Sequence, residues 1–160
     1  MGKPQDYYKV LIKSISSFLF IGYLPVAPGT FGSLAGVAIF YLFKNSQLNL
    51  LIFTLGLLIL GFLVSGKAEK VFGRNDPSCI VIDEVCGMLL SLLLLPYYAV
   101  WVVILAFFYF RLLDTLKPFP AGRVERMSGG LGLMGDDIVA AFYTNIILQI
   151  VLRLVSFKTS

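Results

Sequence analysis

The sequence predicts an all-α integral membrane protein: about five short transmembrane helices preceded by an amphipathic, interfacial N-terminal helix. Three observations carry that prediction. Of 160 residues, 58% are apolar and 14% charged, whereas a soluble globule is about half apolar and a quarter charged. Mean hydropathy is +0.88. Apolar stretches recur at 34–43, 48–65, 85–95, 97–110 and 138–155, and the Gly- and Pro-punctuated connections between them hold nearly all the charge. Since a crossing takes about 20 helical residues, the length accommodates roughly four or five spans and little else. Residues 1–160 are expected to form one domain, with the interfacial helix in 1–21 and the helical core in 22–155.

At the N-terminus, Lys3, Lys9 and Lys13 precede the apolar run ISSFLFIGYL in the manner of a signal peptide. A cleavage site would fall in PVAPG, which its prolines disfavour, so a retained interfacial helix with Lys9 and Lys13 on one flank is expected. The stretch YLPVAPGTFGSLAG (23–36) then breaks that helix and opens the first span. Thr30 and Ser33 are placed where a helix N-terminus binds anions; capping, with Gly32 and Gly36 at a helix–helix contact, is the plainer reading of the same residues. The third and fourth apolar stretches meet at Pro96, read as a hairpin because one helix from 85 to 110 would put the charged loops on opposite sides.

Five crossings place the N-terminal region and the connections 66–84 and 111–137 on one side. That side holds Lys3, Lys9, Lys13, Lys67, Lys70, Arg74, Arg111, Lys117, Arg123 and Arg126, and the other holds Lys44, Arg153 and Lys158. Ten basic residues against three assign the first side to the cytoplasm. The net charge of +4, spread over connections, favours anionic lipid headgroups over nucleic acid.

Four polar constellations fall at those cytoplasmic boundaries. Asp83 and Glu84, in DPSCIVIDEVCGM (76–88), open one apolar helix, with Asp76 just upstream; Asp136 and Asp137, in GGLGLMGDDIVAAF, open another; Asp114, in FRLLDTLKPFP (110–120), ends a third. Carboxylates at helix N-termini gain only about 0.3 to 1 kcal/mol, against a cost of a few kcal/mol each beside hydrocarbon. Two pairs plus Asp114 therefore point past capping to a hard divalent cation, Mg²⁺ above all. Arg111, Asp114 and Lys117 are spaced i, i+3, i+6 along one helical stripe that ends before Pro118. The stripe can offer cations to a phosphate; Arg111 can equally pair with Asp114, or both cations can snorkel. The glycines of GGLGLMG take the same two readings as those of 23–36, an anion-binding helix entrance or a close helix contact; taken alone, the stretch is a flexible loop before the last helix.

The chain has no histidine and two cysteines. Imidazole chemistry is absent, and a helical Cys86 stands about 10 Å from Cys79, beyond disulfide reach; both cysteines read as small apolar residues.

Taken in order over 22–145, PGTFGSL, IVIDEVCGM, FRLLDTLKPFP and GGLGLMGDDIVAA resemble the phosphatidylglycerophosphatase A family. These bacterial cytoplasmic-membrane enzymes use Mg²⁺ to remove the terminal phosphate of phosphatidylglycerophosphate. Ala140-Ala141 stands where Ala-Gly is familiar in the family and Phe119 where Trp is common, and neither removes a polar group. The resemblance implies a phosphomonoester hydrolase acting on phosphatidylglycerophosphate at the bilayer, its active site cytoplasmic. In a mechanism compatible with it, Asp83, Glu84, Asp136 and Asp137 hold Mg²⁺, and Asp114 is a further ligand or a base for water. Arg111, Lys117, Thr30 and Ser33 bind the phosphate. No obligate protein partner is implied.

Competing classes fare worse. Histidine phosphatases need an absent residue; a cysteine phosphatase needs Arg six residues after Cys, where Val85 and Leu92 stand; there is no Asp-x-Asp. A CDP-alcohol phosphotransferase would open its motif with Asp-Gly, also missing. A small ion transporter would carry its acids at mid-membrane rather than at span ends.

Overall fold

A computed structural model describes residues 4–73, 77–96 and 98–159, excepting the side chains of 4 and 156–159. Lys3, Arg74, Asp76 and the side chain of Lys158 lie outside the described residues. All regular structure among those described is helical: α1 (Pro4–Ser16), a 3₁₀ turn (Ile21–Tyr23), α2 (Pro28–Phe43), α3 (Gln47–Phe72), α4 (Ile82–Leu92), α5 (Val100–Leu116), α6 (Ala121–Val124) and α7 (Gly130–Thr159).

α1 packs on α3, burying Ile12 in one cluster with Val64 and Ala68, while Lys13 Nζ lies 5.3 Å over the Phe72 ring. Three consecutive left-handed residues, Phe18, Leu19 and Phe20, end this segment. α3 is capped at both ends: Ser46 Oγ accepts from Asn49 N at 3.4 Å, and Gly73, at φ 71°, donates its N–H to Glu69 O.

α3 and residues 130–155 of α7 are long and apolar enough to cross a membrane, and α2 is a shorter apolar helix. The expectation of five short spans thus meets, among the described residues, two helices of full spanning length. α4, at 11 residues, is only about 16 Å long. Nine of its residues are buried, because it sits at the centre of the bundle against α2, α3, α5 and α7. The surface is apolar where a soluble fold would be polar: Leu48, Ile52, Leu55, Ile59 and Leu63 form an exposed stripe on α3, and Phe142, Ile146, Ile150 and Leu154 another on α7. Outward stripes of that kind suit hydrocarbon, not water.

Small residues set the α2–α4 spacing, as expected. A Cβ on Gly32 would stand 2.9 Å from Val81 Cβ, and one on Gly36 2.8 Å from Met88 Cβ. Pro96 does divide two helices, α4 and α5. The carbonyls left over at the end of α4 are met from α7: Asn145 Nδ2 donates to Leu90 O (3.3 Å), Ser91 O (3.1 Å) and Leu93 O (2.7 Å), and Gln149 Nε2 to Leu94 O at 2.7 Å. Unmet helix-end carbonyls are costly where water is scarce.

α7 begins at Gly130, so Asp136 and Asp137 lie in its second turn rather than at its entrance, and Gly130, Gly132 and Gly135 are helical rather than a flexible loop, with Gly129 just outside the helix at φ 73°. Glycine is a poor helix former, but here neighbouring backbone occupies the space a side chain would need. A Cβ on Gly132 would collide with Met127 O, one on Gly135 with Val124 Cγ1, and one on Gly130 would come within 2.7 Å of Phe62 O.

Candidate active site

The entrance of α4 is held by Val81 N, which donates to Ser16 O at 3.0 Å. Its first turn then carries Asp83 and Glu84 inward, with Asp83 Oδ1 accepting from Glu84 N at 3.0 Å. The second turn of α7 brings Asp136 and Asp137 opposite, 6% and 4% exposed, and the last turn of α5 supplies Asp114. Five acids from three helices thus meet in two overlapping triples, Asp83–Glu84–Asp137 and Asp114–Asp136–Asp137. Within each triple, one oxygen per carboxylate lies within 4.8 Å of the others. Asp137 belongs to both.

The acids line a cavity of about 590 Å³, within the range of ligand sites. Seven carboxylates face it (Glu69, Asp83, Glu84, Asp114, Glu125, Asp136 and Asp137) and only two cations, Lys117 and Arg126. Glu84 Oε2, Asp136 Oδ1 and Asp137 Oδ2 are buried with no hydrogen-bond partner. Buried carboxylate oxygens without a donor are expensive, so they mark a place for a cation or ordered water. With oxygen donors only and no imidazole, the set fits Mg²⁺ and similar hard ions rather than zinc or copper.

Both expected phosphate-binding cations are present, but carboxylates engage them. Arg111 Nη1 lies 2.9 Å from Asp114 Oδ2 and 3.9 Å from Glu84 Oε1. Lys117 Nζ lies 2.7 Å from Asp136 Oδ2 and 2.6 Å from Glu125 Oε1. Lys117 is not on the α5 stripe; it ends the helix in a left-handed conformation, φ 46°, which turns it toward α7. Burial lowers the pKa of its ammonium, but the hydrogen bonds and charges of Asp136 and Glu125 outweigh this and hold it above the ordinary lysine value.

The expected hydroxyls do not reach the cavity. Ser33 is fully buried and its Oγ donates to Gly29 O at 3.0 Å, back-bonding along its own helix. Thr30 is half-buried and off the cavity wall. α2 reaches the site instead through Gly29, where a Cβ would overlap Glu84 Oε1 and stand 3.2 Å from Arg111 Nη1. Glu125, Glu69 and Ser128 join the wall without having been singled out in sequence. For Glu125 the pointer was the end of the helix before Pro118, which allows the chain to double back on Lys117.

Among the described residues no disulfide joins Cys79 to Cys86, and Cys86 is buried.

The profile of the family described as Phosphatidylglycerophosphatase A matches residues 14–152. A phosphatidylglycerophosphatase A of Escherichia coli is 41% identical over 122 residues, 74% of this chain and 70% of that protein. Its counterpart in Haemophilus influenzae is 36% identical over 130 residues, 79% of this chain and 80% of the other. A protein of Bacteroides thetaiotaomicron named putative phosphatidylinositol-3-phosphatase is 34% identical over 142 residues, 81% and 86% of the two chains. No solved structure gives a significant match. With that profile spanning all of the converging acids, the chain belongs to the phosphatidylglycerophosphatase A family of lipid phosphatases.

Proposed function

We propose that the protein hydrolyses the terminal phosphomonoester of phosphatidylglycerophosphate, giving phosphatidylglycerol and phosphate, in a Mg²⁺-dependent reaction at the cytoplasmic face of a bacterial inner membrane. The observation that carries the reading is the pair of acid triples joined at Asp137, in a chain whose family acts on lipid phosphates. Seven carboxylates against two cations would repel a phosphate dianion, so a phosphate can enter only with cations beside it. Asp83, Glu84, Asp136 and Asp137 would hold Mg²⁺, with Asp137 common to both triples; bound there, the ion supplies charge neutralisation for the phosphoryl oxygens.

The residues of the chain divide the remaining tasks. Arg111 holds Asp114 Oδ2, which leaves Oδ1 to take the proton of the attacking water as its oxygen bonds to phosphorus and the bond to the glycerol oxygen breaks; that oxygen leaves as the alcohol by taking a proton from solvent water, and Asp114 returns its own to solvent. Lys117 fixes Asp136 and keeps α6 and its flanks against α7 through Glu125. Five crossings, with α2, α4 and α5 embedded beside the two long helices, would put this end of the bundle among the ten basic residues and so in the cytoplasm. α4 would then rely on neighbours to exclude lipid rather than on its own length.

The named substrates of the relatives share a feature: phosphatidylglycerophosphate and phosphatidylinositol 3-phosphate each carry a phosphomonoester on a polyol that is joined to the lipid by a phosphodiester. Phosphate release from both by purified protein in detergent, with and without Mg²⁺, tests the reading. Release from phosphatidylglycerophosphate that stops with chelator is expected. No release, or release indifferent to chelator, would sink it, and preference for the inositol lipid would redirect it.

A further inference from the structure

A second cavity, of about 660 Å³, adjoins the acid one, and the two share Glu69, Ser128 and Gly129. Its far wall is the end of α3, where Leu63, Lys67 and Lys70 lie on one helical face by their i, i+4, i+7 spacing. The stripe runs from Leu63, the last member of the exposed apolar row, to two exposed lysines. Among the described residues neither lysine makes an ion pair, unlike Arg111 and Lys117, which carboxylates engage.

A lysine in a last helical turn, as Lys70 is in α3, is favourable for the helix dipole in any case, so the occurrence of the lysines is not the argument; their placement is. A Cβ on Gly66 would stand 3.1 Å from Gly130 N and 3.6 Å from Gly129 Cα, and Gly129 itself is at φ 73°. Backbone lies against backbone there. The lysine face is therefore held at a set distance from the segment that walls the acid cavity.

We infer that Lys67 and Lys70 bind the internal phosphodiester of the lipid whose terminal phosphomonoester enters the acid cavity, making them the specificity-determining cations for lipids that carry both groups. The inference rests on the function proposed above. Of the acid cavity's two cations, Lys117 is engaged by Asp136 and Glu125 and Arg126 faces seven carboxylates, so a second anion there needs cations of its own. Leu63 places the acyl chains at the hydrocarbon end of the same face, so lipid, diester and monoester follow one continuous path.

The test is steady-state phosphate release by the full chain in uncharged detergent micelles, where mere attraction to an anionic membrane surface has no effect. Lys67→Gln with Lys70→Gln should raise KM for phosphatidylglycerophosphate about tenfold and leave kcat within about twofold, the loss of a charge-assisted contact to a non-reacting group. Inhibition by phosphatidylglycerol, which keeps the diester and lacks the monoester, should weaken by the same factor while inhibition by inorganic phosphate does not change. Lys67→Arg with Lys70→Arg should restore both. An unchanged KM, a fall in kcat alone, or a joint weakening of both inhibitors overturns the inference while the function stands. A wild type that releases no phosphate overturns the function, and the inference with it.

Discussion

α7 carries two polar positions about two turns apart, and the bundle treats them in opposite ways. At Asn145 both N–H groups of the amide are engaged, Nδ2 sharing them among three carbonyls at the end of α4. At Asp137 a carboxylate 4% exposed leaves Oδ2 with no donor, as do Asp136 Oδ1 and Glu84 Oε2 nearby. The hairpin end is not free of orphans, since Gln47 Nε2 and Tyr98 OH lack partners. Those groups are an amide and a phenol, however, and such an orphan costs less than a buried carboxylate left without donor or cation. One end of the bundle is closed on itself; the other is complete only with something bound.

The largest expected effects separate the two ends. Asp137→Asn should lower phosphate release at least about a hundredfold, because it removes the carboxylate common to both triples, while the fold survives the loss of a buried charge. Asn145→Leu should do the reverse, costing about 1 to 3 kcal/mol of stability as carbonyls at the end of α4 lose their donor, with kcat per folded molecule unchanged. Release assays beside thermal melts in detergent decide the matter, and a variant that moved both quantities equally would erase the distinction.

A second, smaller effect isolates the open end from catalysis. Saturating Mg²⁺ should raise the melting temperature of the wild type by roughly 5–11 °C at about a hundred times its Kd, and this shift should vanish in Asp137→Asn and persist in Asn145→Leu. A metal shift that survived Asp137→Asn would place the ion elsewhere.

How much of this was legible in the sequence follows from the same contrast. Adjacent acids in an apolar chain are costly in any fold, so Asp83, Glu84, Asp114, Asp136 and Asp137 could be singled out before any contact was known, and a break at Pro96 followed from its missing N–H. The start of α7 was not legible, because glycine's low helix propensity is overridden by tertiary contacts with Phe62, Met127 and Val124, which no local pattern encodes. The length of α4 was not legible for a related reason: it reads like a span in composition, but its end is set by Leu93 turning extended and by the Asn145 amide from a remote helix. Glu125 was hidden because only the turn at Lys117 brings it back to the site.

Between the two ends, the α2–α4 seam offers a graded test. Gly36→Ala would set a methyl 2.8 Å from Met88 Cβ, overpacking worth about 1 to 3 kcal/mol. Its effect should appear as a lower melting temperature with KM little changed, since the clash lies about one turn along α2 from Gly32 and about two turns from Gly29, which touches Glu84 and Arg111.

The smallest effect concerns Ser33, where local pattern and geometry disagree outright. As a hydroxyl near a helix N-terminus it is a natural phosphate donor, and Ser33→Ala would then raise KM. In the fold its Oγ donates to Gly29 O at 3.0 Å and is shut off from the cavity by α2 itself. Substitution by Ala removes donor and methylene-sized polarity together and leaves Gly29 O with its helical partner, so the expected cost is at most about 1 kcal/mol, with KM for the lipid and inhibition by inorganic phosphate both unchanged. A KM that rose severalfold would mean that α2 rotates when substrate binds, and would move the anion site from the α3–α7 side of the cavity to the α2 side.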